Sequence, residues 1–153
     1  TDLELYSEEE GKQMCEDVRA VSKRLQETGW VIACHSYTHN SFWRGDATVA
    51  QLQNDLERWK SLIAPYTGDT NVLITPFGGH FDFGTDQFRY FQSLGFNIVC
   101  PVGAGMSMKF QDGAMTQDRL NLDGYTMLEH PERVSKYFFD PAQVVDPSRP
   151  PIE

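Results

Sequence analysis

Residues 30–42, "WVIACHSYTHNSF", decide how this chain is read. Trp30 to Cys34 is a short apolar run with two β-branched residues, the composition of a strand buried on both faces in a parallel sheet. Two histidines four apart, His35 and His39, follow at once. In a helix that spacing sets both imidazoles on one face. This segment does not read as a helix, so His35 falls at the C-terminal end of a strand and His39 in the loop beyond it.

Working outward, Ser7 to Gly29 reads as an amphipathic helix. Ser7 and Glu10 have capping-box spacing, Met14, Val18, Val21 and Leu25 recur every three or four residues, and Gly29 supplies the stop. On the other side, a loop with Phe42, Trp43 and Gly45 leads to a second helix starting near Asp46, marked by Leu52, Leu56, Trp59 and Ile63 and ending before Pro65 or Gly68. Residues 71–74 ("NVLI") form the next strand, 75–84 ("TPFGGHFDFG") a loop, Asp86 to Leu94 a short helix, and 96–100 ("FNIVC") a third strand. Strands alternating with helices predict right-handed crossovers and a parallel sheet, open or closed as a barrel. Either way, the functional site lies at the C-terminal ends of the strands, where 35–45, 75–84 and 101–110 must meet. Further on, one more strand is expected near Tyr125 to Leu128, a last helix opening at Pro131, and a Pro-rich tail over 140–153. No internal repeat or domain boundary is visible, so 1–153 reads as a single domain.

Composition narrows the partners. The 153 residues carry a formal charge of -9, which repels a phosphate backbone or an anionic membrane surface. Nucleic acid is therefore excluded as the expected partner, and no apolar run approaches the roughly 20 residues that span a bilayer. The N-terminal "TDLELYSEEE" lacks the features of a signal peptide. Cys15, Cys34 and Cys100 are odd in number and lack C-x-x-C spacing, which predicts buried free thiols.

Imidazole is the commonest metal-binding side chain near neutral pH, and two at a strand end bind a divalent ion once a carboxylate is added. The competing reading is a pair of loop histidines hydrogen-bonded to nearby backbone. The segment His35-Ser36-Tyr37-Thr38-His39 resembles the H-[ST]-x-x-H motif of the polysaccharide deacetylases, the NodB-homology carbohydrate esterases. Thr75-Pro76-Phe77-Gly78 falls one helix and one strand later, where that family has an R-x-P-[FY]-G-like segment, and Leu128-Glu129-His130 resembles its late L-x-H motif.

The resemblance implies a (β/α) barrel that removes N- or O-linked acetyl groups from a polysaccharide or cell-wall glycan, with zinc or another divalent ion as cofactor. It makes His35 and His39 the metal ligands, the Phe77 N–H an oxyanion donor and His130 the general acid; Thr75 and Pro76 of the matching segment, and Trp43 for its aromatic face, are the candidate substrate-binding residues. It also implies an extracellular or cell-envelope location. Two departures stand out. The family's T-F-D-D motif, source of an aspartate ligand and an aspartate base, is absent from the chain, and Thr75 stands where many members have arginine. With Thr1 in place of an initiating methionine, the expectation is a partial barrel lacking its first strand or strands, with the third ligand, an aspartate, upstream and no activity in this piece alone. Exposed sheet edges then predict a homodimer. The alternatives are a non-catalytic glycan- or protein-binding module, or an unrelated metal-binding α/β hydrolase whose third ligand is Asp82, Asp86 or His80. Phe42, Trp43 and Phe77 are candidates for a sugar-stacking floor, against the simpler role of core cover. Asp46 reads as a helix N-cap.

Overall fold

The computed structural model describes residues 7–146 and Ser148. Helix α1 spans Glu8–Glu27, with the expected capping box closed: the Ser7 hydroxyl accepts from the Glu10 N–H, and the Glu10 carboxylate accepts from the Ser7 N–H at 2.8 Å. Helix α2 (Val49–Leu62) starts three residues later than Asp46 predicts, because Thr48 and Gln51 form a second capping box and outcompete it. The short helix α3 (Ala64–Thr67) carries Pro65 in its first turn, where proline's missing N–H is no loss.

Strand β1 (Val72–Ile74), helix α4 (Asp86–Ser93) and strand β2 (Ile98–Cys100) follow as expected, and β1 pairs with β2 in parallel, Leu73 opposite Val99. The next stretch differs from expectation. Met108–Gln111 (β3) and Ala114–Gln117 (β4) form an antiparallel hairpin, turning at Asp112 and Gly113 with φ of 50° and 74°. Two successive positive φ values are what a tight primed turn demands, and Asp-Gly is a preferred dipeptide for it. Strand β4 then returns beside β2 in parallel, giving the order β1-β2-β4-β3 in an open mixed sheet. The strand expected at Tyr125–Leu128 is instead helix α5 (Gly124–Glu129), nucleated by Asp123, whose carboxylate caps the Thr126 N–H at 2.7 Å. Helix α6 (Pro131–Tyr137) opens at Pro131 as predicted, and the Pro-rich tail begins with a 3₁₀ turn at Pro141–Gln143. Except for Ser148, the tail beyond Asp146 lies outside the described residues.

The expected strand at 30–34 is reduced to one bridge, Cys34 with Leu73 of β1. It lies on the outer side of β1 and has a neighbour on that side alone among the described residues, so Trp30 and Val31 are 67% and 70% exposed rather than buried. Helix α1, which packs against α3, is also uncovered on its apolar side. Its apolar stripe of Met14, Val18, Val21 and Leu25 is exposed, and its one buried residue is Ser22. The core lies on the other side, where Leu73, Val99 and Cys34 meet Leu52, Leu56 and Trp59 of α2 and Phe88 and Phe91 of α4. Each such side chain contributes roughly 1.5–3 kcal/mol by burial, so this layer fixes the strand ends on which the site is built.

Candidate metal and active site

His35 leaves the sheet immediately after the Cys34 bridge, and its Nδ1 lies 2.8 Å from the Ile74 carbonyl of β1. A carbonyl only accepts, so Nδ1 carries the proton and, in the neutral ring, Nε2 keeps its lone pair. Metal-binding histidines are commonly oriented by this kind of bond. His39 is brought back by a left-handed turn: Ser36 and His39 have φ of 64° and 49°, and the His39 N–H donates to the Ser36 hydroxyl at 2.9 Å. The two rings end 5.0 Å apart, nearly edge to face. Two imidazoles sharing one ion at metal–nitrogen distances near 2.0–2.1 Å place their ring centres about 5 Å apart. The observed separation matches that spacing, and both residues are exposed to solvent.

The loop between them is pinned from beneath by Asp55 of α2, which the sequence reading did not single out. Its carboxylate accepts from the Tyr37 N–H at 2.8 Å, the Thr38 N–H at 3.0 Å, and the Thr38 hydroxyl. Asp55 is 1% exposed, and buried carboxylates persist where such charge-assisted bonds replace water. Its place among the buried positions of α2, beside Leu52, Leu56 and Trp59, was the available signal.

Thr75, Pro76 and Phe77 lie at the end of β1. Thr75 and Pro76 are buried, so they shape the site from behind. Phe77 has φ of 54°, a left-handed conformation that costs a non-glycine residue roughly 1–2 kcal/mol, and its ring is half exposed. It sits 4.7 Å from the His39 ring and 5.0 Å from the Arg44 guanidinium, centre to centre. The turn uses the Gly78 N–H to Thr75 O and the Gly79 N–H to Pro76 O, leaving the Phe77 N–H without an acceptor among the described residues. The following glycines permit close approach: a Cβ on Gly79 would overlap the Trp43 carbonyl, and one on Gly78 would lie 2.6 Å from the Val102 Cβ.

Trp43 does not offer a sugar-stacking face. Its ring is fully buried, stacked 6.0 Å from Phe91 and edge-on to Phe81, because the 3₁₀ turn Ser41–Arg44 folds it into the core. His80 is held away by its Nε2, 2.9 Å from the Val102 carbonyl. Asp86 pairs with Arg89 at 2.7 Å, and among the described residues no three His, Cys, Asp or Glu side chains form a metal-holding group. The third ligand proposed within this chain, from Asp82, Asp86 or His80, is thus not assembled. The contacts of His130 are local, a ring 5.8 Å from Tyr125 and an Nδ1 3.8 Å from the Glu132 carboxylate. A surface groove of about 480 Å³ between α1 and Tyr66 includes none of these residues.

A guanidinium does reach Thr75, through its carbonyl: that of Arg119, at 3.1 Å. Burial pulls Arg119 below its ordinary pKa, opposed by the nearby Cys100.

The polysaccharide deacetylase family model matches residues 9–99, and the chain belongs to that family. No curated protein and no solved structure matches it. The matched span contains both histidines, Asp55 and the Thr75–Gly78 turn, and stops before β3. Among the described residues no helix is long and apolar enough to cross a membrane.

Proposed function

We propose that this domain removes N- or O-linked acetyl groups from a polysaccharide or cell-wall glycan at a divalent metal held by His35 and His39. The observation that carries the reading is the pairing of a His35 ring whose Nδ1 is committed to Ile74 O with a His39 ring 5.0 Å away, within a family that acts on acetylated polysaccharides. Two donors are fewer than the three protein ligands usual in a catalytic zinc site. The third, an aspartate, is assigned outside the described residues, on a strand that would add to the open flank beside Cys34 and extend the sheet toward a (β/α) barrel. An ion so bound supplies Lewis-acid polarisation of the acetyl carbonyl and a more acidic water.

The remaining steps belong to the chain's own residues. His35, through the Nε2 left free by the Nδ1 bond to Ile74 O, and His39 would be the nitrogen donors that hold the ion. The Phe77 N–H, in a residue held at φ of 54° and without an acceptor among the described residues, would donate to the developing oxyanion. His130 is assigned the leaving-group proton on its Leu-Glu-His sequence alone. A glycan substrate of this kind places the work outside the cell or at its envelope.

The test is glycan binding and acetate release from an acetylated oligosaccharide, with zinc, with a chelator, and in His35→Ala. Zinc-dependent binding lost in His35→Ala, with slow or no release, is the signature of a centre lacking one ligand. Binding indifferent to both metal and His35 would make the domain the alternative, a non-catalytic glycan-binding module.

A further inference from the structure

Two adjacent carbonyls at the end of β1 face different partners. Ile74 O receives the His35 Nδ1 proton, and Thr75 O receives an N–H of Arg119 at 3.1 Å. The same guanidinium donates through Nε to Cys100 O at the end of β2, at 2.9 Å, and Cys100 O also accepts the Thr75 N–H at 3.3 Å. Arg119 itself follows β4, held in line by its bridge to Val102 and by its own N–H to Pro101 O. One side chain thus links the ends of β1 and β2 to the segment that follows β4, and no carboxylate pairs with it among the described residues.

A partly buried cation that spends two rigidly spaced donors on backbone carbonyls is committed to geometry rather than to charge pairing, and a lysine, a single flexible point donor, does not reproduce the fork. From this we infer that Arg119 is a positioning residue for the site: it bonds the Thr75–Pro76 peptide, the root of the Phe77 turn, directly through Thr75 O, and through Cys100 O, the acceptor it shares with the Thr75 N–H, it holds the adjoining Ile74–Thr75 peptide whose carbonyl sets the His35 tautomer. Arg119 lies outside the span that matches the family, 9–99. Its importance to metal binding rests on the proposed function; its control of His35 does not.

The experiment reads the ring nitrogens of His35 by two-dimensional ¹H–¹⁵N NMR in the wild-type chain, Arg119→Ala and Arg119→Lys, with circular dichroism confirming the fold. The wild type should show the proton on Nδ1. In Arg119→Ala the Nδ1 signature should be lost or mixed with the Nε2–H form, and zinc affinity should fall about tenfold; Arg119→Lys should recover part of each. If Arg119→Ala does not fold, Arg119→Lys decides alone, by whether its His35 signals move. His35 signals identical in all folded variants would overturn the inference. Should the wild type fail to bind zinc while the tautomer shift appears, Arg119 keeps its role and the deacetylase reading of the histidines falls.

Discussion

Replacing Asp55 with alanine should loosen the histidine loop more than any surface change near it. The substitution strands the Tyr37 and Thr38 N–H groups and the Thr38 hydroxyl, all now bonded to one carboxylate. An unsatisfied buried donor costs about 1–3 kcal/mol. Tyr37 is 37% exposed, so water re-solvates part of the loop and the lower end of that range applies, giving a total of about 3 kcal/mol. Removing one negative charge from a chain of net charge -9 works in the opposite direction, but exposed repulsion of this kind is worth tenths of a kcal/mol in salt. The loss should win. For a domain of this size it corresponds to a fall in Tm of roughly 6–12 °C. Asp55→Asn, which keeps one acceptor oxygen, should show about half that fall. Thermal unfolding followed by circular dichroism measures both, and the His35 and His39 ring resonances should shift in the same samples. A Tm within about 2 °C of wild type in Asp55→Ala, with unmoved histidine resonances, would refute the claim that Asp55 builds the loop.

Other outcomes follow from the same geometry. Gly79→Ala drives a methyl into the Trp43 carbonyl, although the glycine's own φ of -54° suits alanine; it should cost about 3 kcal/mol or more, visible in urea unfolding. Burial pushes the Cys34 thiol up to about 12 from an ordinary value of 9.0. Because the folded state holds that proton more tightly, this contribution is intact below about pH 9 and lost as pH rises toward 12. The slope of stability against pH should be up to about 1.4 kcal/mol per unit shallower in Cys34→Ala over that window. The exposed Trp30 and Val31 beside the uncovered edge of the sheet should support concentration-dependent dimers, measured by light scattering and weakened by Val31→Lys; a monomer at every concentration would remove that expectation.

Much of the fold was readable from short-range signals. The Ser7–Glu10 box placed α1 almost to the residue, and the apolar spacing of Leu52, Leu56 and Trp59 marked the buried face of α2. What escaped depended on competition between local signals or on contacts far apart in sequence. Tyr125 to Leu128 has strand-like composition, yet the Asp123 cap made it a helix. The Asp112-Gly113 turn was a legible hairpin signal, obscured by flanking segments with weak alternation: β3 is exposed along its whole length. In the site, the histidine pair and the Thr75–Gly78 turn were visible as motifs. Asp55 and Arg119 were not, because each acts on groups distant along the chain, 17 or 18 residues away for Asp55 and 19 or 44 for Arg119; a carboxylate on the buried face of α2 hinted at Asp55 but did not name its partners, and no local pattern marked Arg119. Trp43 was misplaced for the converse reason: an aromatic in a strand-end loop looks alike whether it faces a groove or fills a core.

Zinc titration by calorimetry, on the wild-type chain and on His35→Ala and His39→Ala, tests the central claim most directly. One ion per chain, bound weakly by two imidazoles and lost in either variant, is the predicted result. Binding that survives both substitutions, or no binding at all in the wild type, would contradict a metal centre at His35 and His39.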